Sequence, residues 1–115
     1  MKKIYFLKTC DTSMRILKSI NIDGFELQEI KTNPIIVSQL EEMQKLSGSY
    51  EALFSRRAKK YKQMDLKNQA LSEKDYRQLI LDEYTFLKRP VIIINDKIFI
   101  GNSKKNVESL QEAIK

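Results

Sequence analysis

Histidine is absent from this chain, and cysteine occurs once, as Cys10. A single cysteine excludes an internal disulfide, and without histidine it leaves no zinc site of the usual nitrogen and sulfur donors. Glycine and proline are also scarce, three and two residues, and no linker, repeat or low-complexity tract is visible. The longest apolar run, Pro90 to Ile94, is far short of the roughly 20 residues needed to span a bilayer. Met1-Lys2-Lys3 is basic, but the apolar stretch after it, Ile4 to Leu7, is shorter than the roughly 7–15 residues of a signal-peptide core. These absences predict a cytoplasmic protein without a membrane partner.

What is present is ordinary for a globular domain. Apolar residues make up 42% and charged residues 31% of the 115 positions, enough for one domain with a real core. The net charge of +6 is compatible with an anionic partner or with a solvated lysine-rich surface. No recognised nucleic-acid motif accompanies it, so nucleic acid is not the expected partner. Arg56, Arg57, Lys59, Lys60 and Lys62 form the densest basic stretch, with no acid among them.

The apolar pattern orders the elements. Residues 3 to 7 read as a central strand, apolar on both faces. Asp11 and Thr12 are helix-start residues, Met14, Leu17 and Ile20 follow at helical spacing, and Asp23-Gly24 marks a stop. Phe25, Leu27 and Ile30 predict a second strand, with Glu26 and Gln28 alternating outward. From about 33 to 86 the pattern is helical. Ser38 to Glu41 has the form of a capping box, Gly48 ends the helix after it, a short helix is predicted around Glu51 to Phe54, and another runs from about Ser72 to Asp82. Val91 to Ile94, the Asn95-Asp96 turn and Lys97 to Ile100 predict a hairpin. A last helix after Gly101 carries Val107, Leu110 and Ile114. The order β-α-β, helical insert, β-β-α predicts an α/β fold of thioredoxin type, a single domain with a mixed central sheet.

In that arrangement Cys10 lies at the N-terminus of the first helix. Free amides and the helix dipole there favour an anion, so a thiolate gains relative to a thiol. Lys8 and Arg15 add to the effect, and Asp11 opposes it. A core thiol belongs inside an element rather than on the cap before one, which points to a reactive sulfur. Ser13 stands one helical turn on, placed to donate a hydrogen bond to the thiolate but unable to resolve a disulfide. Arg89-Pro90 precedes the third strand. A thioredoxin-type sheet expects this proline in cis, with Arg89 as a fixed cation near the sulfur. Arg57 is a second candidate cation, and Arg56 reads as a surface residue.

With these residues placed, the chain resembles the arsenate reductase family that includes the Spx regulators. The likeness lies in "YFLKTCDTSMRIL", "LFSRRAKKYKQMDL", "LSEKDYRQLIL" and above all "FLKRPVIIINDKIFIGN". "Cys-Asp-Thr" is closest to the branch described as glutathione-dependent thiol reductases. The resemblance implies a thioredoxin-like fold and a cysteine nucleophile, Cys10. It makes Ser13 part of an anion loop with Arg57 and Arg89 as two of three oxyanion-binding arginines, and it keeps Asp11, Thr12 and Pro90 as structural parts of the site. In arsenate reductases of this type the thiolate attacks arsenate, glutathione joins the adduct and glutaredoxin completes the cycle. No bound cofactor is implied, with glutathione or another small thiol as co-substrate. The third arginine is expected near Phe99 to Gly101, where this chain has no cation; Lys97 and Lys104 are nearest. An Spx-like role implies RNA polymerase as partner, without the Cys-x-x-Cys pair that many Spx proteins use to sense oxidation.

Overall fold

A computed structural model describes residues 1–114. They fall into two compact units, Met1–Pro34 with the stretch from Arg89 onward, and Ile35–Lys88.

The first unit is built on a four-stranded sheet ordered β2-β1-β3-β4, formed by β1 (Lys2–Phe6), β2 (Glu26–Glu29), β3 (Val91–Ile94) and β4 (Lys97–Ile100). β1 runs parallel to β2, and the other two pairings are antiparallel, which makes the sheet mixed. Two helices belong to this unit, α1 (Asp11–Lys18) and the C-terminal helix (Lys104–Ile114). Ile4 and Ile92 from the sheet, Ile16 and Leu17 from α1, and Leu110 from the C-terminal helix are buried in one apolar cluster, with Phe6, Phe25, Phe99 and Val107 packed against it. This is the thioredoxin-like arrangement that the element order predicts.

The second strand departs from its predicted alternation. Leu27 is 46% exposed and Gln28 only 5%, the reverse of apolar-in and polar-out. β2 is an edge strand, which leaves Leu27 partly uncovered. The Gln28 amide instead donates to the carbonyls of Asn33 at 3.0 Å and Pro34 at 3.4 Å, so its burial is compensated by hydrogen bonds.

The second unit contains α2 (Val37–Ser47), α3 (Lys59–Gln63), α4 (Glu73–Asp82) and short 3-10 turns at Glu51–Leu53, Leu66–Asn68 and Tyr84–Phe86. The C-terminal helix is therefore α5. Ser38 is not the cap of α2: the helix starts at Val37 with Ile36 as its cap, two residues earlier, and Gln39 accepts the Ile36 amide at 3.1 Å. The true capping box opens α4, where Ser72 and Asp75 exchange hydrogen bonds. Phe54 stacks on Phe86 at 5.0 Å between ring centres, and Tyr76 tilts against it at 4.9 Å. Leu53 and Phe54 are further tied to the 86–88 segment through Ser55 N–H to Phe86 and Lys88 N–H to Leu53. Among the described residues no helix is long and apolar enough to cross a membrane.

Candidate active site

One end of the sheet collects four chain segments. β1 and β2 are parallel and both finish there, at Phe6 and Glu29. Because Tyr5 pairs with Val91, extending the antiparallel ladder places Pro90 and Arg89 beside Phe6 and Leu7. β4 also finishes there, and the Gly101 amide donates to the Pro90 carbonyl at 2.9 Å. The loop carrying Cys10, the end of β2, the Arg89–Pro90 segment and the entry to α5 therefore share one edge.

Cys10 is reached through a turn. Its amide donates to the Leu7 carbonyl at 3.0 Å, and its own carbonyl accepts from Met14 at 3.0 Å. It is the N-cap of α1, half-buried, with extended backbone (φ −94°, ψ 104°) and no side-chain capping bond. The first-turn amides thus have no oxygen from the capping residue, and a sulfur stands where that oxygen usually sits. Asp11 and Thr12 are the first two helical residues. Asp11 is exposed, and the Thr12 hydroxyl accepts from Arg15 at 3.4 Å.

Ser13 occupies the third helical position, fully buried, and its hydroxyl has no hydrogen-bond partner among the described residues. Capping and third positions lie on one helix face. A buried unpaired hydroxyl costs about 1–3 kcal/mol, and this one makes no hydrogen bond to the Cys10 sulfur. Arg89 is half-buried, and its peptide bond to Pro90 is cis, as expected.

The two neighbouring arginines of the helical unit differ sharply. Arg56 is engaged: it pairs with Glu51 at 2.8 Å, donates to the Tyr76 hydroxyl at 3.1 Å and lies over that ring. The bond to Glu51 is the main reason its pKa is raised. Arg57 is exposed, and its guanidinium has no partner among the described residues; only its backbone amide is held, by the Ser55 hydroxyl. Of the two, Arg57 is the cation available to an anion. Lys97 is removed as a stand-in for a third cation, because its pairing with Ile94 puts it at the opposite end of the sheet. Lys104 begins α5 at the correct end.

The match to the ArsC family model runs over residues 5–110. The chain belongs to the ArsC family. Among curated proteins, this ArsC-family chain is 28% identical over 109 residues to the uncharacterized protein YfgD of Escherichia coli K12, covering 91% of this chain and 92% of YfgD. It superposes on SACOL0876 of Staphylococcus aureus COL with a TM-score of 0.75 at 26% identity, covering 95% and 97% of the two chains. Against the arsenate reductase of Vibrio cholerae the TM-score is 0.74 at 19% identity, with 99% and 97% covered. At that identity the last likeness is one of fold.

Sequence reasoning missed Glu29. Burial alone raises its pKa, but hydrogen bonds from Lys8, Thr32 and Lys31 outweigh that and hold it below the ordinary glutamate value. No local pattern marks such a residue, because one of its partners lies 21 positions away.

Proposed function

We propose that this ArsC-family chain is a thiol-dependent oxidoreductase in which Cys10 is the sole nucleophile and a small external thiol such as glutathione resolves the intermediate. The observation that supports the reading is the half-buried Cys10 at the uncapped head of α1, followed one turn on by a buried Ser13 hydroxyl that has no partner among the described residues. A thiolate at Cys10 gains the first-turn amides of α1 as donors, and Ser13 adds one more. Arg89 supplies positive charge from the adjoining strand entry. The family resemblance assigns a second cation to Arg57, whose guanidinium has no partner among the described residues.

With a disulfide R–S–S–R′ as substrate, the Cys10 thiolate attacks one sulfur, the Cys10–S–R′ bond forms, and RS⁻ leaves and takes a proton from water. A glutathione thiolate then attacks the R′ sulfur, releasing R′–S–SG and regenerating Cys10. The external thiol is oxidised and the substrate reduced. A second protein cysteine is not required.

Arsenate is a less favoured substrate. The Phe99 to Gly101 segment carries no cation, and one lost charge-assisted contact weakens oxyanion binding by roughly 1.5–3 kcal/mol. A glutaredoxin-coupled assay with arsenate, glutathione and NADPH tests it, and turnover above a Cys10→Ser control restores arsenate as substrate. A second reading, a non-enzymatic Spx-like module binding RNA polymerase, is favoured by the exposed side chains of Arg57, Lys59, Lys60 and Lys62, none of which has a partner among the described residues. Pull-down of RNA polymerase that is lost on charge reversal at Lys59 and Lys60 supports it. For the leading reading, iodoacetamide must label Cys10 at neutral pH faster than it labels a free cysteine peptide. Equal rates reject it.

A further inference from the structure

We infer that the Glu29 carboxylate is a positioning residue for Cys10: by holding the Lys8 amide it fixes the turn that sets the sulfur at the head of α1. The inference rests on Cys10 being the nucleophile.

The covalent path from the sheet to the sulfur is short and has few anchors. Phe6 ends β1, and Leu7 to Cys10 make a turn closed by the Cys10 amide on the Leu7 carbonyl. Lys8 and Thr9 are exposed, so their side chains give the turn no core contact to rest on. The outward amide of Lys8 is the second anchor. It donates to Glu29 Oε2 at 2.9 Å.

Glu29 is itself well placed to be an anchor. The β1–β2 ladder sets it opposite Phe6, and the Ile30 amide donates to the Phe6 carbonyl at 2.9 Å. Its other oxygen, Oε1, accepts the Lys31 and Thr32 amides at 3.0 and 2.9 Å and the Thr32 hydroxyl at 3.0 Å. Four donors from two separate segments converge on one side chain, and every one of them is an N–H or O–H. Only a carboxylate accepts on both oxygens. A glutamine would present an NH₂ group either to Lys8 or to the Lys31–Thr32 pair, donor against donor. An aspartate is one methylene shorter and reaches only one of the two segments.

A staple between two loops would also stabilise the fold, so the test separates position from stability. Cys10 alkylation by iodoacetamide is followed from about pH 6 to 9, with melting temperature measured in parallel, for wild type, Glu29→Gln, Lys8→Pro and Val107→Ala. Lys8 is the second residue of its turn, where proline is favoured, so Lys8→Pro removes the donor while the turn persists. Lys8→Gln, which loses only the side-chain charge, is its reference, and the slowing is counted beyond it. Val107 is half-buried against the apolar cluster, so Val107→Ala lowers stability without removing either partner of the Glu29–Lys8 hydrogen bond. Both Glu29→Gln and Lys8→Pro are expected to slow alkylation at neutral pH roughly threefold to tenfold, as the loss of one hydrogen bond allows. The double variant is expected to be no slower than the slower single variant. Val107→Ala is expected to melt earlier with the wild-type alkylation profile.

A wild-type profile in Glu29→Gln and Lys8→Pro, or an equal slowing in Val107→Ala, overturns the inference while leaving Cys10 as nucleophile. A wild-type protein no faster than a free cysteine peptide removes the nucleophile and this inference with it.

Discussion

Glu29 in the sheet unit receives the Lys8 amide at 2.9 Å, and Glu73 in the helical unit receives the amides of Tyr50 and Glu51 at 2.7 and 3.1 Å. Each carboxylate fastens a loop more than twenty positions away in sequence. The segments they fasten end differently. Beyond Tyr50 lies a 3-10 turn leading into Phe54, whose ring is packed against three others. Beyond Lys8 lie the half-buried Cys10 and a buried hydroxyl without a partner among the described residues. The same device thus closes a core in one unit and holds an open, unsatisfied constellation in the other. What distinguishes the proposed site is a buried hydroxyl left unmatched after the fold is complete.

That contrast can be broken in several ways. The largest effect belongs to Cys10→Ser, which should abolish thiol turnover without lowering the melting temperature, since serine is near-isosteric and its oxygen can cap the first-turn amides that the sulfur leaves free. A disulfide-reduction assay with glutathione checks it; residual turnover above background would move the chemistry elsewhere. Next come the two arginines. Arg57→Ala should cut kcat/KM for an anionic disulfide about tenfold to a hundredfold, the cost of one charge-assisted contact, with stability unchanged. Arg56→Ala should do the reverse, losing stability through Glu51 and Tyr76 and leaving kinetics alone.

Ser13→Ala sharpens the contrast further. Removing a buried hydroxyl that has no partner should stabilise the resting protein by about 1 kcal/mol while slowing Cys10 alkylation. Calorimetry beside the labelling assay shows whether the two move in opposite directions. The smallest effect is in acid. The pKa of Glu29 is lowered on folding, so its contribution is fully present above the ordinary value of 4.5 and is lost as pH falls below it. Urea unfolding between about pH 3 and 6 should show this slope in wild type and a shallower one in Glu29→Gln.

Much of the architecture was legible because it rests on local signals. The run Ile4 to Leu7, the helix-start pair Asp11-Thr12, the Asn95-Asp96 turn and the stop at Gly48 each act over a few residues. α3 was not read, because Lys59 to Gln63 carries no apolar stripe and buries none of its residues. Ser38 misled because serine followed three positions later by glutamate is also common inside a first turn. Alternation puts Leu27 and Gln28 on the wrong faces because it assumes a covered face, and an edge strand has less cover to offer. At the site, Cys10 was legible from its position before the helix. The separate fates of Arg56 and Arg57 depend on Glu51 and Tyr76, and Glu29 acts through an amide, which has no signature in sequence. Long-range hydrogen bonds of this kind emerge only once the strands are in register.

The sheet's two ends have opposite characters. The far end carries the Asn95-Asp96 bend, where the Met1 carbonyl accepts the Asn95 amide at 2.7 Å, and none of the reactive or cationic side chains assigned to catalysis. A fluorophore, a surface tether or a short peptide graft placed in that bend would sit a full strand's length from the sulfur. The molecule therefore offers a ready handle for immobilised or single-molecule measurements in which the labelled end and the proposed site do not interfere.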